Sequence, residues 1–376
     1  MNQQHLNYID TVNLGSYYTP EWIVDVVYEL LSINIGDISQ FKILDTSCGY
    51  GSFLRGNNAI GADIDELAIA RARTINPNIN YYIQNSLLSI DRSNYALNNK
   101  DKLIIVGNPP YNDTTSLIRN SIKKEVFQRD ADIVSRDLGI SFLLSYSKLY
   151  PDYICVLHPL SYLIKKSNFV ALKSFRNNYK LKDSIIISSK VFSNTSKSTF
   201  FPIIIAFYER DFFGMDYNYI SNYQFKTFEG SVFSINDFDT IDKYISKYPN
   251  KNYVEEKNTV AHFWTMRDIN ALKRTQTFVK KENSNTIRVI EEVLPYYCYV
   301  DVFKEYLPNI PYYFGNCDIM IDNEEFMNIQ DSFVTVSSNK HPEFKEFIKY
   351  DADLEHSKEV IAKYFKKLLG KHYVDK

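Results

Sequence analysis

The sequence predicts an α/β protein: a doubly wound sheet in the first half of the chain and a second domain behind it. Three observations carry this. Short apolar runs alternate with helical segments from about residue 41 to 208. Two of the early runs end in an aspartate, and the first opens onto a glycine-bearing turn. The alternation then stops near Phe212.

Taken in order, Phe41–Asp45 reads as a strand, followed by the turn Ser47-Cys48-Gly49-Tyr50-Gly51 and the start of a helix. Ala59–Asp63 is the next strand, with Glu66–Ala72 as the helix after it. Asp45 and Asp63 lie so close in sequence that the first crossover helix has to be very short, since a crossover needs ~10–12 residues at minimum. Tyr81–Ile83 and Leu103–Val106 are further strands, Phe142–Tyr146 begins a helix, and Tyr153–Leu157, Ile185–Ile187 and Pro202–Tyr208 complete the set. From there the chain is rich in Asn, Asp and Tyr without a βα rhythm. The boundary is expected between Asp211 and Tyr219, dividing the chain into domains 1–215 and 216–376.

Composition narrows the partners. The net charge of −2 gives no global attraction to a polyanion. Two local runs are basic, however: Lys165 to Lys197 opposed by Asp183 alone, and Arg267 to Arg288 opposed by Asp268 and Glu282. Either run reads first as a solvated face; together they are compatible with phosphate contacts on two sides of a cleft. The 30 Tyr and 25 Phe suit base stacking, but most are read as core. Cys48, Cys155, Cys298 and Cys317 are scattered without a CxxC pair, so neither a metal site nor a disulfide framework is expected. The N-terminal residues lack the pattern of an export signal, and no apolar stretch reaches the ~20 residues of a membrane helix. A cytoplasmic protein is expected.

The chemistry concentrates in two fragments. In LDTSCGYGSFL, Asp45, Gly49 and Gly51 form a turn where backbone can approach a ligand closely. One strand later Asp63 stands where a carboxylate can accept hydrogen bonds from ribose hydroxyls. A lone Gly-x-Gly is equally a mere tight turn. In VGNPPYND, the apolar run Leu103–Val106 stops on an asparagine, two prolines that cannot extend a strand, and an aromatic ring.

Asn108-Pro109-Pro110-Tyr111, the Gly49–Gly51 turn and the N-terminal Gly15-Ser16-Tyr17-Tyr18-Thr19-Pro20 occur in an order that resembles the γ-class adenine-N6 DNA methyltransferases of type II restriction–modification systems. The resemblance covers about Leu14 to Tyr208. It implies a Rossmann-like methyltransferase sheet, S-adenosyl-L-methionine as cofactor, no metal, and a C-terminal target-recognition domain. It further implies a monomer acting on double-stranded DNA, and a cognate restriction endonuclease as a separate protein. By the same resemblance, Tyr17, Thr19, Pro20, Asp45, Ser47, Gly49 and Gly51 would hold the methionine end of the cofactor. Asp63 would bind its ribose, and Ile64 and Asn85 its adenine. Asn108, with Pro109, Pro110 and Tyr111, would form the catalytic floor and border the cofactor. Asn85 departs from the family in being an amide where an acid is usual.

The resemblance gives the strand end a chemical reason. An exocyclic adenine nitrogen is a poor nucleophile, because its lone pair is delocalised into the ring. The Asn108 side-chain oxygen and the Pro109 carbonyl can each accept one of its hydrogens and favour a tetrahedral nitrogen. Tyr111 offers a stacking surface for a base that has left the duplex. Phe200 or Phe201 would lie against the other face of that base, and Lys273 and Arg274 would touch phosphate. NPPY also occurs in RNA and protein-glutamine methyltransferases, which are the alternative. His158, at a strand end, is read as structural rather than as a base.

Overall fold

The structure is a computed structural model that describes residues 19–111, 128–192, 200–249, 256–347 and 353–375. Tyr17 and Lys197 lie outside the described residues. The chain divides into two compact units, Met1–Ser234 and Ile235–Lys376.

The first unit opens on α1 (Glu21–Ile35), preceded by Pro20 and ended by Gly36 at φ 80. Ile23, Val24, Val27, Leu30 and Leu31 recur at helical spacing and form its buried stripe. Then follow β1 (Lys42–Asp45), β2 (Ala59–Asp63), α2 (Glu66–Ile75), β3 (Asn80–Ile83), β4 (Leu103–Gly107), α3 (Leu138–Leu149) and β5 (Tyr153–Pro159). Three short helices, α4 (Ser161–Ile164), α5 (Lys166–Ala171) and α6 (Lys173–Asn178), lead into β6 (Tyr179–Ser188) and β7 (Pro202–Arg210).

These seven strands form one sheet in the order β3-β2-β1-β4-β5-β7-β6. The first five are parallel to their neighbours, and β7 runs antiparallel between β5 and β6. The doubly wound Rossmann-like sheet is therefore present. The chain leaves β1 for β2 and β3 on one side and returns to β4 on the other, so β1 and β4 flank a topological switch point.

Ile104 and Val106, Cys155 and Leu157, and Ile203, Ile205 and Phe207 alternate along their strands and pack on the α1 stripe. A second cluster joins Ile69 and Ala72 of α2 to Ala59, Tyr81, Cys48 and Leu54. Strands β1, β2, β4 and β5 are buried on both faces, and the C-terminal ends of the parallel strands share one edge.

Two expectations change. The crossover from β1 to β2 holds no helix: residues 46–58 run through successive turns. Gly49, Gly51 and Gly56 have φ of 52°, 83° and 81°, and each such residue interrupts a right-handed helix. The turns are pinned by α1 instead, through Arg55 to Glu21 (2.5 Å) and Asp25 (2.7 Å), and Tyr28 Oη to the Phe53 carbonyl (2.8 Å).

The second change concerns the boundary. Composition shifts near residue 215, yet α7 (Tyr217–Asn222) and the hairpin β8 (Phe225–Lys226) and β9 (Val232–Phe233) stay with the first unit. The tyrosines that mark the composition shift are the anchors. Tyr217 Oη donates to the Ile164 carbonyl and Tyr219 Oη to that of Leu181, each at 2.6 Å.

The second unit contains β10 (Asp239–Thr240), β11 (Thr259–Trp264), α8 (Ile269–Leu272), β12 (Thr286–Ile290), α9 (Leu294–Phe303), β13 (Met320–Ile321), α10 (Asn323–Lys340) and α11 (Leu354–Leu369). Strands β11 and β12 form an antiparallel pair, as do β10 and β13. Its core is aromatic, with Tyr299, Phe303, Phe326, Phe333, Tyr364 and Phe365 packed ring against ring. No described helix is long and apolar enough to cross a membrane.

Candidate active site

The site is built from the ends of β1, β2, β3 and β4. Asp45, the last residue of β1, is 1% exposed. Its Oδ1 accepts the Ser47 N–H at 3.0 Å, while Oδ2 is buried and unpartnered among the described residues. Burial pushes its carboxyl up to about 8; the Ser47 N–H opposes this and the Asp63 charge adds to it.

The strand beside it makes room. Gly107 ends β4 at φ 141, and a Cβ there would stand 2.7 Å from Asp45 Oδ1. Only glycine brings β4 that close to the carboxylate. Gly107 was not singled out from the sequence, and its signal was a glycine between an apolar strand and the NPPY turn.

Asp63 has a different role from an open carboxylate. Its Oδ2 accepts the Gly49 N–H at 2.8 Å and its Oδ1 that of Asp65 at 3.0 Å, so it clamps the glycine turn to the end of β2. Burial raises its pKa, and the two N–H groups work against that. Each oxygen keeps lone-pair capacity for a hydroxyl donor. Gly51 is required twice over, by its φ and by Tyr81, whose Oη would lie 2.8 Å from an added Cβ. The second glycine of the turn thus admits a core ring.

At the adjoining strand ends apolar surface is left open. Ile64 is 50% exposed, and Ile83, which pairs with Asp63 across β2 and β3, is 49% exposed. Ile83, not singled out from the sequence, thus offers exposed apolar surface one strand from Ile64. Asn85 is engaged within the chain: Nδ2 donates to the Gln128 carbonyl (2.9 Å) and Oδ1 accepts the Leu87 N–H (3.0 Å).

Asn108 follows Gly107 directly. Its Nδ2 donates to Thr19 Oγ1 at 3.2 Å, and its Oδ1 is buried with no partner among the described residues. Thr19 is 4% exposed and next to Pro20 at the head of α1, so the N-terminal motif and NPPY meet in one hydrogen bond. Ser47 Oγ is likewise buried and unpartnered among the described residues. Buried polar atoms in folded proteins are nearly always satisfied. Asp45 Oδ2, Ser47 Oγ and Asn108 Oδ1, buried and unpartnered among the described residues at the ends of β1 and β4, could meet the donors of a ligand.

Tyr111 and Phe201, both partly buried, pack against the α1-side core. Lys190 Nζ lies 5.8 Å from the Phe200 ring centroid. Beside Tyr111, the Tyr162 hydroxyl donates to Asp137, the N-cap of α3. A Cβ on Gly139 would stand 2.5 Å from Tyr162 Oη and 3.0 Å from Tyr111 Cβ. His158 is fully buried, with Nδ1 2.9 Å from the Pro159 carbonyl and Nε2 2.7 Å from Tyr208 Oη. Since a carbonyl only accepts, Nδ1 carries the proton. Burial lowers this imidazole to about 4, so it stays neutral and structural. Lys273 and Arg274 are exposed in the second unit, directly after α8.

No protein-family model and no curated protein matches the chain. Solved structures do. A type I restriction–modification system methyltransferase subunit from Streptococcus thermophilus shares 14% identity over 76% of this chain and 53% of its own, with a TM-score of 0.39. A TehB-like SAM-dependent methyltransferase from Corynebacterium glutamicum shares 11% over 51% of this chain and 98% of its own, at 0.27. The DrdV–DNA complex shares 14% over 60% of this chain and 28% of its own, at 0.38.

Proposed function

We propose that the chain is a site-specific DNA methyltransferase that moves a methyl group from S-adenosyl-L-methionine to the N6 amine of a flipped adenine. The observation that carries this is Asn108 Oδ1, buried and unpartnered among the described residues just past β4, on the strand next to β1 and its equally unpartnered Asp45 Oδ2. The cradle fits the cofactor's donors. Asp45 Oδ2 and Ser47 Oγ suit the methionine ammonium, with Thr19 and Pro20 bordering that end. Asp63, clamping the Gly49 turn, suits the ribose hydroxyls, and Ile64 and Ile83 suit the adenine ring. Bound there, the cofactor supplies an electrophilic methyl group on a sulfonium.

The chain's own residues prepare the acceptor. Asn108 Oδ1 and the Pro109 carbonyl accept hydrogen bonds from the two amine hydrogens, which turns the nitrogen lone pair out of the ring and towards the cofactor; once the nitrogen carries the methyl group it gives up one proton to water. Pro109 and Pro110 hold that carbonyl without conformational freedom. Tyr111 stacks under the base, and Phe200 or Phe201 closes over it. His158, neutral and enclosed, takes no part in proton transfer.

The second unit, with Arg267, Lys273, Arg274, Lys280 and Lys281 exposed, serves as the target-recognition domain. The enzyme works as a monomer on double-stranded DNA, and methylation protects that DNA from a separate endonuclease. The test is transfer of radiolabelled methyl to DNA, RNA and cell protein, followed by nucleoside and amino-acid analysis. N6-methyladenine in DNA is the expected product. Label confined to RNA or to protein glutamine would overturn the substrate.

A further inference from the structure

Arg129 carries a charge that no described acid accompanies. Its Nη1 donates to the Ser135 carbonyl (2.9 Å) and to Ser141 Oγ (3.0 Å), both neutral acceptors. Burial lowers its pKa, and no neighbouring carboxylate counters that. Three arginines of the chain do sit on acids, Arg55 on Glu21 and Asp25, Arg210 on Asp152, and Arg288 on Glu282, whereas Arg129, like Arg92 and Arg73, is held by neutral acceptors. A half-buried guanidinium without an anion is costly unless an anion arrives from outside.

Its position says where that anion would be. The backbone around Arg129 is laced to the loop after β3: Gln128 accepts from Asn85, the Asp130 N–H donates to the Leu87 carbonyl at 2.8 Å, and Asp130 Oδ1 accepts the Ser89 N–H at 2.8 Å. On its other side Ser141 belongs to α3, two residues beyond Gly139, which abuts Tyr111. Arg129 therefore stands on the same edge of the sheet as Asn108, between the β3 loop and the helix behind the stacking tyrosine. With Nη1 anchored, Nε and Nη2 remain to meet a tetrahedral oxyanion as a fork.

We infer that Arg129 binds a backbone phosphate of the nucleic-acid strand, next to the adenine that stacks on Tyr111. This rests on the reading of the site as a base methyltransferase. A strand whose base enters over Tyr111 must bring its phosphodiester past the strand ends, where Arg129 stands among neutral acceptors.

The test uses the full chain and a short duplex centred on the methylated adenine, mapped with the parent enzyme. Arg129→Gln should weaken duplex binding about tenfold and reduce the slope of log affinity against log salt by about one. Affinity for S-adenosylmethionine should not change. In the parent, a single neutral methylphosphonate flanking the adenine should reproduce the loss, and it should add nothing in the variant. Parent-like affinity and salt slope in a variant that melts like the parent would overturn the assignment, as would loss of cofactor affinity instead. If the variant does not fold, the methylphosphonate series decides, and insensitivity at every flanking phosphate overturns it. A parent that neither binds nor methylates DNA shows a failure of the methyltransferase reading itself, and this assignment falls with it.

Discussion

Asp45 in the first unit and Asp301 in the second are almost equally hidden from water, at 1% and 3% exposure. Their surroundings could hardly differ more. Asp301 Oδ1 accepts Thr277 Oγ1 at 2.6 Å, its Oδ2 accepts Ser337 Oγ at 3.0 Å and Lys340 Nζ at 3.1 Å, and His341 Nε2 lies 3.6 Å away. Burial would raise its carboxyl, but His341, Thr277 and the Lys340 charge overcome that and hold it at about 2. Asp45 has one backbone N–H and an empty oxygen. A carboxylate that stabilises its own fold is saturated; under the proposed function, Asp45 is left short for a ligand.

The comparison can be broken in four ways, the largest first. Asn108→Ala removes the other orphaned acceptor of the site. Methyl transfer should fall by roughly 10²–10³-fold or more, with cofactor affinity within a few-fold of the parent. Near-normal turnover in a purified variant would end the catalytic assignment.

Asp301→Ala strips four donors of their acceptor, and should destabilise the second unit by about 3 kcal/mol, read from denaturant unfolding. Because this carboxyl is depressed from 3.8 to about 2, its contribution is present above pH ~4 and lost as pH falls through about 2. An unfolding midpoint equal to the parent's at neutral pH would show the network to be idle.

Asp45 should give the opposite sign. Its carboxyl is raised from 3.8 to about 8, so the folded state holds a proton that the unfolded chain has lost. Stability should decline as pH rises from about 4 to 8 and then level off. Asp45→Asn should remove that decline and so raise stability above pH 8, while cofactor binding is lost. A parallel pH profile in parent and variant would disprove the shift. The smallest effect is expected at Asp63, where Asp63→Ala should weaken cofactor binding by about 1.5 kcal/mol in titration calorimetry. Unchanged affinity would leave Asp63 as only the clamp on the Gly49 N–H.

Much of the first unit was legible because local chemistry dictated it. Ile104, Ile105 and Val106 can only be a buried strand, and Pro109 and Pro110 can only end it. The early aspartates mark strand ends for the same reason. What escaped depended on partners distant in sequence. No local pattern shows that Arg55 reaches back to α1 and makes a crossover helix unnecessary, or that Gly107 yields its side chain to Asp45 from a neighbouring strand. Gly51 looked like a ligand-facing glycine, yet the ring it admits comes from Tyr81. The second unit was hardest to read because short strands and rings such as Tyr299 and Phe333 carry no period.

The tyrosine anchors between β7 and β9 bear on modular exchange. If the second unit is what varies when specificity changes, the natural splice point is after Ser234, where the first compact unit ends. A graft made at residue 215 would leave the carbonyls of Ile164 and Leu181 without the hydroxyls of Tyr217 and Tyr219, and Ser184 Oγ without Tyr223 at 3.3 Å. It would also strip β6 of its bridge from Ile186 to Thr227 and turn that strand into a bare edge, open to pairing with other chains. Chimaeras joined at the earlier point should aggregate where those joined at the later one stay dispersed.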